Sequence, residues 1–134
     1  MAAIEKVEGI GPTFGAKLRG IGIATTGALL KKGATPAGRK AIVKDSGLTA
    51  KQILKFVNHV DLMRVKGVGE EYSELLEAAG VDTVPELAQR KADNLLEAML
   101  KLNQKKKLVR IPPSIGKVKG WIDHAKKLPR VIEY

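Results

Sequence analysis

Two short stretches carry the residues whose types and spacing point to chemistry. Val7-Glu8-Gly9-Ile10-Gly11-Pro12 returns further along as Val65-Lys66-Gly67-Val68-Gly69-Glu70. In each, two glycines one residue apart let the backbone turn through positive φ and lie close to another surface. The amides behind them open a helix, and Pro12 suits a first helical position, where no amide hydrogen is needed. Unpaired N–H groups at a helix start form a small anion seat, for which phosphate is the obvious guest. The same residues also fit a tight helix–turn–helix corner that holds no guest. Around the first copy stand Lys6, Lys17 and Arg19, with Glu8 an awkward neighbour. At the second, Glu70 and Glu71 sit at the mouth, where they suit the helix dipole but repel phosphate. The expected phosphate contacts are therefore Lys6, Gly9, Ile10, Gly11, Lys17 and Arg19, while Gly67, Val68 and Gly69 are expected to be structural.

Other candidate groups point away from catalysis. Glu70, Glu71, Glu74 and Glu77 are the densest carboxylates. A nuclease metal site draws converging carboxylates from several elements, whereas these four share one short helix, and Glu70, Glu74 and Glu77 form a surface stripe. His59 and His124 fall at matching helix ends, a position suited to helix-terminal hydrogen bonding or dipole compensation. No Ser/His/Asp grouping, Walker loop or dinucleotide fingerprint is visible, and the chain has no cysteine for a thiolate site or a disulfide. The expectation is a protein that is not an enzyme and uses no metal and no cofactor.

The elements that must position these groups are helical. A short helix at most covers 3–7, and helices are expected over 12–20, with Phe14, Leu18 and Ile21 inward, and over 26–32, capped by Thr25 and ended by Gly33. Thr35-Pro36 opens another, to about Ser46, with Ala41 and Ile42 inward and Gly47 as its stop. Thr49-Ala50-Lys51-Gln52 is a capping box for a helix to about His59, with Ile53, Leu54, Phe56 and Val57 on its core face. Asp61 is expected to cap a short helix before the second glycine turn. A helix over 70–79 then stops at Gly80, and Thr83-Val84-Pro85-Glu86 reads as a second capping box. Asp93 caps a helix to about Asn103, Lys105 to Pro113 reads as an extended connection, and Ser114 caps a last helix carrying Val118, Trp121, Ile122, Ala125 and Leu128, ended by Pro129. No alternating strand pattern is clear.

The repeat is larger than the glycine turn. Gly9, Gly11, Gly22, Thr25, Leu29 and Thr35 align with Gly67, Gly69, Gly80, Thr83, Leu87 and Asp93; Thr49, Ile53, Phe56, Val57 and His59 align with Ser114, Val118, Trp121, Ile122 and His124. The extra residues of the second copy fall in the 105–113 connection. Phe56 and Trp121 sit on apolar faces and read as core anchors. The fold class is all-α: two tandem, pseudo-symmetric units, 1–60 and 61–134, in one compact helical domain.

Charge divides the chain differently. Residues 1–59 hold ten Lys/Arg and three Asp/Glu, residues 60–98 four and nine, and residues 99–134 ten and two, within a net charge of +10. That balance favours polyanionic partners, and an acidic middle between basic flanks gives the two turns different tasks. Hydrophobic residues make up 44% of the 134, which fits a folded chain. No long apolar run spans a membrane and the start lacks a signal-peptide pattern, so the cytoplasm is the expected compartment.

The pattern Ile4-x-x-Val7-x-Gly9-Ile10-Gly11-x-x-Phe14-x-x-x-Leu18-x-x-x-Gly22-Ile23, repeated as Leu62-x-x-Val65-x-Gly67-Val68-Gly69-x-x-Tyr72-x-x-x-Leu76-x-x-x-Gly80-Val81, resembles the helix-hairpin-helix superfamily. That resemblance implies hairpins that grip the nucleic-acid backbone. The run from Asp61 to Tyr72 and the tail Pro113-Ser114…Trp121-Ile122…Ala125-Lys126 resemble a bacterial family catalogued as a domain of unknown function and likened to the helix-turn-helix part of flap endonucleases. This second resemblance spans nearly the whole chain and implies the fold, without supplying a nuclease active site. The expected function is a non-catalytic, sequence-independent module binding DNA or RNA backbone phosphates, DNA in preference. The alternative is an adaptor whose hairpins only shape the fold and whose acidic face, Glu70, Glu74 and Glu77, meets a protein partner.

Overall fold

Capping signals and apolar spacing resolve into eight α-helices in a computed structural model that describes residues 2–134. They are α1 (Pro12–Gly20), α2 (Thr26–Gly33), α3 (Pro36–Ser46), α4 (Ala50–Met63), α5 (Glu70–Ala78), α6 (Val84–Ala88), α7 (Ala92–Lys106) and α8 (Ile115–Lys127), preceded by a 3₁₀ turn at Ile4–Lys6. The chain is all-α: among the described residues there is no strand, only an isolated bridge between Ala3 and Thr25.

Several helix starts follow the chemistry of their caps. Thr25, Thr35 and Ser114 accept from the amides of Ala28, Gly38 and Lys117. The Thr49 box is reciprocal: its amide donates to Gln52 Oε1 at 2.9 Å and its Oγ1 accepts from the Gln52 amide at 3.1 Å. α1 and α5 both end in a left-handed glycine with the paired bonds of a Schellman motif. Gly22 donates to Arg19 O and Ile23 to Leu18 O, as Gly80 does to Glu77 O and Val81 to Leu76 O.

Other expectations are corrected by packing. Asp61 does not open a separate short helix: α4 runs unbroken through it to Met63, and Asp61 is fully buried inside that helix. Gly33 is the last residue of α2 and not its left-handed stop. A Cβ there would strike Val57, so its small size lets α4 approach. α7 starts one residue after Lys91, placing Asp93 in the first turn, and it absorbs Lys105 and Lys106 before Lys107 turns left-handed. The Thr83 side chain makes no capping bond; Glu86 instead accepts from the Asp82 amide at 3.2 Å. Ala41 is exposed while Ile42 is buried.

The chain divides into two compact units. The first holds the described residues up to Asp61 together with Val131–Tyr134, and the second is Leu62–Arg130. In the first, Ile4, Leu18, Ile23, Leu29, Ile53, Phe56 and Val57 form the core, joined by Ile132. Arg39 fastens the returning tail, donating to Gly33 O at 2.8 Å and Glu133 O at 2.7 Å, while Tyr134 donates to Asn58 Oδ1 at 2.9 Å. In the second, Leu62, Val68, Leu75, Leu76, Leu87, Leu95, Met99, Val118 and Trp121 are buried together.

Candidate functional site

Each glycine turn is built the same way. Gly9 (φ +91°) and Gly67 (φ +90°) take the left-handed conformation that side chains resist. The turns close when Ile10 donates to Val7 O and Val68 to Val65 O, both at 3.0 Å. The side chains of Ile10 and Val68 are buried. Each left-handed glycine also lies against a core aromatic: a Cβ on Gly9 would come within 3.3 Å of the Phe56 ring, and one on Gly67 within 3.1 Å of Trp121 Nε1. Those aromatics pair in turn with the third residue of α1 and of α5. Phe14 and Phe56 have centroids 6.1 Å apart, Tyr72 and Trp121 5.0 Å.

Gly11 and Gly69 are different. Both are N-caps in extended backbone, with φ −85° and −98°, and a Cβ on either would meet nothing within 4 Å. Neither strain nor packing asks for glycine there. The Ile10 amide, expected in the anion seat, is turned inward to Val7 O, so the open donors of the first turn are those at the start of α1. Gly15 N makes the first helical bond, to Gly11 O, and the N-cap residue Gly11 has no side chain with which to cap the amides ahead of it. At α5 the corresponding turn carries Glu70 and Glu71.

The expected cations do not behave alike. Arg19 donates from Nε and Nη2 to the two carboxylate oxygens of Glu5, at 2.9 and 2.7 Å. The hydrogen bond from Arg19 holds the Glu5 carboxyl at about 2, well below its ordinary 4.5, helped by a backbone hydrogen bond at Glu5 itself and by Arg19's charge; Arg19 is raised in return. The Glu5 side chain lies over Gly15, which is buried, and a Cβ there would displace the Glu5 carboxylate. Lys6 and Lys17 are exposed. Glu5 is the acid that sequence reasoning missed; the signal available for it was a glycine placed inside a helix without a turn to make.

Residues 8–128 match the model of the family described as Domain of unknown function (DUF4332). The chain belongs to the DUF4332 family. No curated protein and no solved structure matches it.

In this DUF4332 chain the second turn is braced from α8. Lys66 N donates to His124 Nδ1 at 2.9 Å, and Tyr72 donates to Ile111 O at 2.8 Å with Lys117 Nζ over its ring. His59, at the matching place in α4, is fully buried. Glu70, Glu74 and Glu77 are half-buried along α5, and Glu71 is exposed. Among the described residues no three His, Asp or Glu side chains gather as they would to hold a metal ion, and no helix is long and apolar enough to cross a membrane.

Proposed function

We propose that the chain is a non-catalytic module that binds the phosphate backbone of nucleic acid, DNA in preference to RNA, in the manner of a helix-hairpin-helix and without reading sequence. The observation that carries this reading is Gly11. It is a helix N-cap with no side chain, no strain and no neighbour, in a position where Ser, Thr, Asp or Asn would cap better. A bare cap leaves the first amides of α1 open to an anion. Exposed Lys6 and Lys17 and a segment with ten cations against three acids supply the charge. Contacts of this kind hold phosphates and carry no base information. Gly9 and Ile10 then serve by shaping the turn, and Arg19 is restrained by Glu5.

On this reading the two units are copies of one helical design, supported by the recurring glycine conformations, Schellman ends and glycine–aromatic contacts. The second copy has kept the turn and lost the phosphate seat, because Glu70 and Glu71 occupy the first turn of α5. The protein works in the cytoplasm, without metal or cofactor. The test is an anisotropy titration of the whole chain with labelled DNA and RNA at two salt concentrations. Saturable binding that weakens with salt is expected. A folded protein with no salt-sensitive binding to either defeats the proposal and leaves a protein partner at Glu70, Glu74 and Glu77 as the reading to pursue.

A further inference from the structure

Beside the second turn, Lys66, Gly67, Lys117, Gly120, Trp121 and His124 line an open cleft of about 450 Å³. Its donors come from two directions. Lys66 and Lys117 bring two cations, and no carboxylate is among the described residues that line it. His124 Nδ1 accepts from the Lys66 amide, so the neutral ring carries its proton on Nε2 and offers it as a donor. Trp121 is a largely buried ring whose Nε1 is a donor only; that nitrogen lies beside Gly67, where a Cβ would come within 3.1 Å of it. Gly120 adds an independent sign. It sits inside α8, exposed, where glycine weakens a helix relative to alanine, and a Cβ there would meet nothing within 4 Å. Packing does not account for that glycine, and a long side chain there would stand over the cleft that Gly120 lines.

We propose that this cleft is a binding site for a phosphomonoester, the terminal phosphate of a nucleotide or of a nucleic-acid end. A monoester offers three acceptor oxygens and nearly two negative charges near neutral pH. Two lysines, an imidazole N–H and an indole N–H match that count better than they match the single charge of an internal phosphodiester. The first unit does not repeat this lining. The aligned positions of the first hold Glu8 for Lys66, Gln52 for Lys117, Lys55 for Gly120 and Phe56 for Trp121. The proposal goes beyond backbone binding at the first turn and does not depend on it.

Trp121 is the chain's single tryptophan, so its fluorescence reports on the cleft directly. The whole chain is titrated with inorganic phosphate, with AMP, and with one single-stranded oligonucleotide bearing either a 5′-phosphate or a 5′-hydroxyl. A saturable change in Trp121 emission is expected with the phosphomonoester probes. Lys66→Gln and Lys117→Gln should each weaken it about tenfold, and Gly120→Leu should weaken it by about tenfold or more by filling the cleft. Lys119→Gln, on the same helix outside the cleft, should leave it unchanged, as should Lys17→Glu, which tests the first turn instead. Preference for the phosphorylated oligonucleotide assigns the ligand to a nucleic-acid end. Response to AMP and phosphate without that preference assigns it to a small phosphorylated molecule, and both results support the site. No saturable response to any phosphomonoester probe overturns it. So does wild-type affinity in the Lys66→Gln/Lys117→Gln double variant, whose exposed positions leave folding intact.

Discussion

Arg19 closes on Glu5 through two hydrogen bonds, at 2.9 and 2.7 Å, across fourteen residues of sequence. The pair converts one of three cations beside the first turn into a neutral unit. Arg19→Gln should therefore weaken nucleic-acid binding less than Lys17→Gln does, and Glu5→Gln should strengthen it by releasing Arg19. Anisotropy titrations of the three variants, side by side, rank these effects; equal losses for Arg19→Gln and Lys17→Gln would show that the pair opens in the complex.

The same pair sets a pH dependence. A carboxyl held at about 2, against an ordinary 4.5, contributes stability that is fully present above 4.5 and lost as pH falls through about 2. The Glu5 side-chain carbon, followed by NMR, should titrate well below the other surface carboxyls. A midpoint near 4.5 would show that the pair does not form in solution.

Gly11→Asp should separate folding from binding. Asp is a favourable N-cap, and the site is open, so thermal stability should hold or rise by a few tenths of a kcal/mol. The added charge at the amide seat should weaken binding to all sequences alike. Replacing one phosphate-contacting lysine, as in Lys17→Gln, should flatten the slope of log affinity against log salt by about 0.9 on duplex DNA. An unchanged slope places Lys17 outside the contact.

Within the second turn the two glycines should respond oppositely. Gly67→Ala forces a side chain into φ +90° and against Trp121, which should cost about 1–2 kcal/mol from backbone conformation alone. Gly69→Ala meets neither obstacle and should be nearly neutral, although the sequence pairs the two as equally structural. Chemical denaturation of both variants decides this. Trp121→Ala, which removes a buried ring, should cost about 3–5 kcal/mol by the same measurement.

Ile132 is the third residue from the end of the sequence, yet it is buried in the core of the first unit. Ile132→Ala should cost about 2–5 kcal/mol, as a core residue does. A loss near zero would mean that Val131–Tyr134 does not dock.

Much of this protein is decided by local rules that its sequence states openly. Thr25, Thr35, Thr49 and Ser114 cap helices because a hydroxyl at the N-cap reaches the amide three residues on through local geometry alone. Gly9, Gly22, Gly47, Gly67 and Gly80 turn the chain because only glycine takes positive φ without strain. Phe56 and Trp121 are buried because they sit on apolar helical faces. Tertiary structure decided what no local period encodes. Asp61 continues α4 although it has the chemistry of a cap, Gly33 is small for Val57, and Val131–Tyr134 returns to the first unit. Which cations remain available was also settled there, since Arg19 meets Glu5 only when distant segments are folded together, as the Lys66 amide meets His124. A side chain's partner is a property of the packed chain, and helix periodicity specifies its face but not its neighbour.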